Sequence, residues 1–210
     1  MLPRLYAILD IALAAERGIA PEALCDTWLG AGVRLIQLRA KSMPPREFLA
    51  LAEALTMRAR SAGALLIVND RTDIARWSGA SGVHLGQQDL SVEDARRLLP
   101  LPAIVGVSTH TEGELRTALD GPADYVAMGP VFPTTSKQQP DPVVGLEGVR
   151  QAATLTRPRG RPLVAIGGIT LERAPEVIEA GADAVAVISD LLNGEDLAAR
   201  ARAFIDATQA

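Results

Sequence analysis

The sequence predicts an α/β fold, a single-domain (β/α)8 TIM barrel with eight parallel strands spanning residues 1–210. Three observations carry this expectation. Short runs rich in Val, Ile and Leu alternate with longer amphipathic segments from residue 5 to residue 206, the pattern of buried parallel strands separated by helices. A glycine-headed phrase recurs ahead of strands: Gly30-Ala31-Gly32-Val33, Gly79-Ala80-Ser81-Gly82-Val83, Gly121-Pro122-Ala123-Asp124-Tyr125 and Gly181-Ala182-Asp183-Ala184-Val185. Each reads as a glycine closing a helix before a tight lead-in to a strand. An open doubly wound sheet is the main competitor, but Asp10-Ile11-Ala12-Leu13 after the first strand is not a Gly-rich dinucleotide turn.

The elements follow in order. Strands are expected at 5–10, 34–39, 65–70, 82–86, 103–109, 125–131, 163–167 and 184–189, each an apolar run that stops at polar residues, glycine or proline. Between them, Val92, Ala95, Leu98 and Leu99 have helical spacing, as do Ala174, Val177 and Ile178, and Leu197, Ala201, Phe204 and Ile205. The weakest helical segment is 73–78, expected as a single short turn. The one long connection, 133–144, carries Pro133, Pro140 and Pro142 and reads as a mobile loop over a site.

Composition narrows the function. At 48% hydrophobic the chain has material for a sizeable core. Its apolar runs at 64–68 and 184–188 are about a quarter of the length that spans a bilayer, so no membrane partner is expected. Asp10 interrupts the apolar stretch that a signal peptide would need, and the single Cys25 cannot form an internal disulfide. A reduced, cytoplasmic protein is the expectation. A net charge of -4 with 3% aromatic residues argues against nucleic acid as a partner. Small anionic molecules remain, because local clusters hold them. Homo-oligomer formation is left open.

In a parallel barrel the ligand site lies at the C-terminal ends of the strands. Strand 2 ends Gln37-Leu38-Arg39-Ala40-Lys41, and alternation puts Gln37, Arg39 and Lys41 on one face with Leu38 on the other. An amide and two cations there suit an anion, although a solvated salt bridge is the plainer reading of either cation alone. Strand 3 ends Asn69-Asp70-Arg71, and strand 4 runs into Gln87-Gln88-Asp89. Alone, either aspartate reads as a cap or turn residue. Together, beside Arg39 and Lys41, they suit Mg2+ bound with phosphate oxygens of a polyanion such as pyrophosphate.

Strand 5 ends with Ser108, Thr109 and His110, and strand 6 leads to Thr134, Thr135, Ser136 and Lys137, hydroxyls and a cation suited to phosphate. Gly167 and Gly168 after strand 7, and Ile188 and Ser189 after strand 8, let backbone N–H groups approach a phosphate. His84, inside strand 4, reads as a packed histidine. Two histidines and one cysteine assemble no nucleophilic triad, so stabilisation of a departing pyrophosphate is the better fit.

These strand ends resemble the thiamine-phosphate synthase (thiamine-phosphate pyrophosphorylase) family through 37–41, 68–71, 82–89, 106–111, 124–137, 166–169 and 181–189. The resemblance implies a transferase of thiamine biosynthesis that joins hydroxymethylpyrimidine diphosphate to a thiazole phosphate and releases pyrophosphate. It implies that Gln37, Arg39, Lys41, Asn69, Ser108 and Lys137 hold the pyrimidine diphosphate, with Lys137, Ser108, Arg39 and Lys41 acting on the leaving group. Asp70 and Asp89 would bind Mg2+, and Thr134, Thr135, Ser136, Gly168, Ile188 and Ser189 the thiazole phosphate. The chain departs from the family's pattern at Ala40, where Glu is usual, and at Thr134-Thr135-Ser136-Lys137, where the second residue is usually acidic and the third a threonine. A glutamate at position 40 is expected to face away from substrate and to orient a neighbouring cation or join a surface ion pair. A thiazole tautomerase-like relative and a non-catalytic phosphate-binding barrel are the alternatives.

Overall fold

The computed structural model describes residues 2–134 and 142–209. Eight strands, β1 (Leu5–Asp10), β2 (Leu35–Arg39), β3 (Leu65–Asn69), β4 (Gly82–Leu85), β5 (Ile104–Thr109), β6 (Tyr125–Met128), β7 (Leu163–Ile166) and β8 (Ala184–Val187), pair in parallel with their sequence neighbours. Pairing of β1 with β8 closes the barrel. The helices outside it are α1 (Ile11–Glu16), α2 (Pro21–Gly30), α3 (Pro45–Ser61), α4 (Thr72–Ser78), α5 (Val92–Leu98), α6 (Glu112–Asp120), α7 (Gly145–Thr156), α8 (Ala174–Glu179) and α9 (Leu197–Gln209).

The period-two pattern of each strand sorts its side chains between two cores. Leu5, Ala7 and Leu9 of β1 join the outer core beneath the helices, while Tyr6 and Ile8 join Leu35, Ile67, Tyr125, Ala127, Val164, Ala184 and Ala186 inside the barrel. Gly106 is required at its interior position: a Cβ there would lie 2.0 Å from the Tyr125 ring. The missing side chain on β5 is the space that Tyr125 occupies.

The recurring phrase does more than close helices. Its polar residue reaches across to a neighbouring strand: Ser81 Oγ accepts from Leu66 N–H at 3.2 Å, Asp124 from Val105 N–H at 2.7 Å and Asp183 from Leu163 N–H at 2.8 Å. These bonds tie the bottom of the barrel, away from the strand ends that carry the predicted site. The glycines behave unequally: Gly79 caps α4 at φ +64, whereas Gly121 has φ -89 and Gly30 is the last residue of α2, with positive φ falling on Gly32.

Four local expectations are corrected. Segment 73–78 is more than a short turn, because buried Thr72, Ile74 and Ala75 dock α4 on its neighbours as a seven-residue helix. Leu98 is 48% exposed, so the apolar stripe of α5 rests on Ala95 and Leu99 with Val92 packed beside them. The sixth strand stops at Met128, where Gly129-Pro130 interrupts its ladder. Ala40 does face away from Gln37 and Arg39, but it is buried in the outer core and not at a surface where an ion pair would form.

Candidate active site

The C-terminal ends of β2, β3 and β4 bring one group of predicted residues together. Gln37 is buried inside the barrel and donates from Nε2 to the Tyr6 hydroxyl at 2.9 Å. Arg39, two residues further toward the mouth, is bonded to Asp10, its register partner at the end of β1. Sequence reasoning did not assign Asp10 to the site. The available signal was its place as the polar last residue of a strand, where ligand-facing groups collect. Its other oxygen accepts from Leu13 N–H at 3.1 Å and caps α1, so one carboxylate fixes both a helix start and a guanidinium.

Asp70 sits on a strained turn. Its φ is +64, the one positive value among the described residues other than glycine, and Arg71 N–H bonds the Asn69 carbonyl across it at 2.7 Å. Such a three-residue turn is uncommon and costs about 1–3 kcal/mol, which aspartate tolerates better than most residues. The turn is held because Asp70 N–H donates to the His84 carbonyl at 2.8 Å. It presents the Asp70 carboxylate to Lys41 Nζ at 3.2 Å. Asp89 arrives from the β4 side, its Oδ2 accepting from Gly86 N–H at 2.7 Å. Burial holds the Asp70 carboxyl above the usual range, opposed by Lys41 and reinforced by the like charge of Asp89 close enough to share a hydrogen bond.

This arrangement fits a hard dication. Two carboxylates from adjacent strand ends, one already destabilised by the other, supply oxygen donors and a charge surplus that a divalent cation would neutralise. Among the described residues no third Asp, Glu, His or Cys joins them, so the other ligands of a cation there would be water or substrate oxygens.

On β5, Ser108 Oγ lies 2.8 Å from His84 Nε2, while Gln87 donates to the Ser108 carbonyl at 2.6 Å. His84 Nδ1 is 2.8 Å from the Tyr125 hydroxyl, which is 3.0 Å from that of Tyr6. Burial lowers the His84 pKa to about 4, leaving it neutral at pH 7 with both ring nitrogens engaged. His110 Nδ1 is bonded to the Gly129 carbonyl at 2.7 Å and braces the end of β6.

The ends of β6, β7 and β8 form the second group. Val131 N–H bonds the Ile166 carbonyl at 2.9 Å and Phe132 N–H bonds that of Gly167 at 3.0 Å, laying the chain that leads to Thr134 along the end of β7. Gly167 and Gly168 have φ +102 and +64, and a Cβ on Gly168 would lie 2.5 Å from the Pro133 carbonyl oxygen. Only glycine permits that approach. Ile188 and Ser189 lead from β8 into a short helical turn at Ser189–Leu192, joined to the post-β7 loop by Leu171 N–H bonding Asp190 at 2.9 Å. Thr135, Ser136 and Lys137 lie outside the described residues.

A family model described as thiamine monophosphate synthase matches residues 5–191. The chain belongs to that family. A thiamine-phosphate synthase of Koribacter versatilis is 47% identical over 193 residues, 91% of this chain and 90% of that protein. One from Methanoregula boonei is 42% identical over 198 residues, 94% and 89%. The solved thiamine phosphate pyrophosphorylase of Pyrococcus furiosus superposes with a TM-score of 0.88 at 33% identity, covering 99% of this chain and 96% of that one. The family expected from the strand ends is therefore the family found. No helix among the described residues is long and apolar enough to cross a membrane.

Proposed function

We propose that this barrel, acting as one catalytic domain, is a transferase that couples hydroxymethylpyrimidine diphosphate to a thiazole phosphate, giving thiamine monophosphate and pyrophosphate. The observation that carries the reading is the pairing, on one barrel mouth, of a carboxylate and cation cluster (Asp70, Asp89, Lys41, Arg39) with a separate glycine-lined end at Gly168. The first suits a diphosphate with its counterion, the second a single phosphate.

In this reading Gln37, Arg39, Lys41, Asn69 and Ser108 orient the pyrimidine diphosphate, and Lys137 belongs with them through the family pattern. Arg39 and Lys41 turn their remaining N–H donors to the leaving oxygens while Asp10 and Asp70 keep the cations in place. Asp70 and Asp89 hold Mg2+, which when bound offsets charge on the diphosphate. Thr134, Thr135, Ser136, Gly168, Ile188 and Ser189 hold the thiazole phosphate. The thiazole nitrogen attacks with its own lone pair as the bond between the pyrimidine methylene and the diphosphate oxygen breaks. The protein need not remove a proton, which agrees with His84 being neutral and fully bonded.

The reaction belongs in a reducing cytoplasm. The one cysteine, Cys25, is buried, and burial raises its thiol to about 11, which keeps it unreactive. A coupled assay for thiamine monophosphate from the two substrates, with Mg2+ and with chelator, tests the proposal. Product only with the metal is expected; absence of product under both conditions overturns the reading.

A further inference from the structure

Five polar side chains from five strands form one continuous hydrogen-bond chain through the barrel interior. It runs from Gln37 to Tyr6 (2.9 Å), Tyr6 to Tyr125 (3.0 Å), Tyr125 to His84 Nδ1 (2.8 Å) and His84 Nε2 to Ser108 (2.8 Å). Its three middle members are buried, at 1%, 1% and 6% exposure for Tyr6, Tyr125 and His84. The rings are fixed as well: the tyrosines meet edge to face at 81° and His84 stacks on Tyr125 at 18°. The mechanism above uses the two ends, Gln37 and Ser108, and leaves the middle without a task.

Donor and acceptor counting gives the chain a direction. The Gln37 amide nitrogen can only donate, so Tyr6 oxygen accepts and the single Tyr6 proton remains for Tyr125. Sent elsewhere it would be a buried donor with no partner, which costs the hydroxyl its full desolvation. The Tyr125 proton then goes to His84 Nδ1. A neutral imidazole accepting at Nδ1 carries its proton on Nε2 and donates it to Ser108 oxygen. With that lone pair engaged, the Ser108 hydroxyl proton is left for a ligand. Every residue keeps its own proton throughout, so no charge is created.

We propose that Tyr6, Tyr125 and His84 are positioning residues that polarise this chain from Gln37 to Ser108 and so hold the Ser108 hydroxyl as a donor toward a bound phosphate oxygen. This rests on the reading of Ser108 as a diphosphate contact. The chain also makes its ends inseparable: an amide turned to accept from Tyr6 would reverse every bond, place the imidazole proton on Nδ1 and bind the Ser108 proton inward.

Nitrogen-15 NMR of the ligand-free, histidine-labelled protein reads the direction without reference to activity. The chain has two histidines, so His110→Gln assigns the spectrum. A protonated Nε2 and a bare Nδ1 on His84 are expected; a protonated Nδ1 overturns the proposal. The second arm measures inorganic pyrophosphate binding in Mg2+ buffer by calorimetry in a double-mutant cycle. Tyr125→Phe keeps the ring against Gly106 and removes only the hydroxyl. It is expected to weaken binding about tenfold in the native background but less than about twofold beside Ser108→Ala, because the two act through one hydroxyl. Equal losses in both backgrounds mean that Tyr125 acts by packing alone and overturn the proposal. Failure of the unaltered protein to bind pyrophosphate, with the Nε2 tautomer intact, instead counts against the functional reading.

Discussion

On the β2–β4 side of the mouth the rim is made of side chains (Arg39, Lys41, Asn69, Asp70, Asp89), whereas on the β6–β8 side it is made largely of backbone freed by glycine. The first side carries charge that is already internally paired, Arg39 with Asp10 and Lys41 with Asp70. The second relies on a chain path that no larger residue could follow, Gly168 lying against Pro133 and Phe132. The difference teaches where each side is vulnerable. Removing atoms should disable the charged side without unfolding it, while adding a single carbon should disable the glycine side.

The largest expected effect lies at Asp70. Asp70→Asn removes a metal-facing charge, and turnover should fall by about a hundredfold or more, read by steady-state kinetics at saturating Mg2+. Stability should move the other way. The folded Asp70 carboxyl titrates above its unfolded value, so between the two pKa values the native state binds more protons and stability falls as pH rises through that interval. Above the folded-state pKa that destabilisation is fully present, and the neutral amide relieves it. Thermal melting in chelator should therefore show Asp70→Asn at or above the native Tm. A lower Tm, or unchanged turnover, would remove the argument that Asp70 is held in an unfavourable state for function.

The glycine side is sharpened by Gly168→Ala. A Cβ 2.5 Å from a carbonyl oxygen at φ +64 must displace the chain leading to Thr134. The strain is worth about 1–3 kcal/mol, which should appear as a roughly tenfold or larger rise in KM for the thiazole phosphate. The KM for the pyrimidine diphosphate should stay within about twofold, since additivity holds for separated sites. Equal rises for both substrates would show that the two sides are not independent.

A smaller effect is expected from the connection that follows β6 on the glycine side. Shortening 133–144 with Lys137 retained should raise hydrolysis of the pyrimidine diphosphate relative to coupling, because a loop that excludes water protects the pyrimidine methylene, which gains positive charge as the diphosphate leaves. The partition between free hydroxymethylpyrimidine and coupled product measures it. An unchanged ratio excludes the shielding role.

The barrel was legible because parallel strands buried on both faces announce themselves as apolar runs, and seven of the eight ended within two residues of the expected limits. The exception, β6, reads as apolar to Val131, but Gly129-Pro130 breaks its ladder. The charged half of the site was legible because charged residues at strand ends are conspicuous. Asp10 was not, since it also reads as the cap of α1. Tyr6 and Tyr125 were not, because an aromatic residue in a strand looks the same whether its hydroxyl is idle or joins a chain across the interior.

The smallest effect on catalysis is expected at Ala40, where the family usually carries glutamate. Alternation along β2 turns this residue away from Gln37 and Arg39, and the structure places it in the outer core at 8% exposure. A glutamate there touches no ligand group, so Ala40→Glu should change kcat/KM by less than about tenfold. Arg39→Ala and Lys41→Ala, which remove donors from the diphosphate side, should each cost more. The burial moves the consequence of Ala40→Glu from rate to stability. A carboxylate introduced into an apolar surround without a partner costs about 1–3 kcal/mol if its head partly reaches water, about 2–4 °C of Tm for each kcal/mol in a chain of this length. Kinetics and melting on the three variants separate the possibilities. A large gain in kcat/KM with unchanged Tm would mean that glutamate finds a cation at the rim, and that the charged side of this mouth lacks a contact its relatives possess.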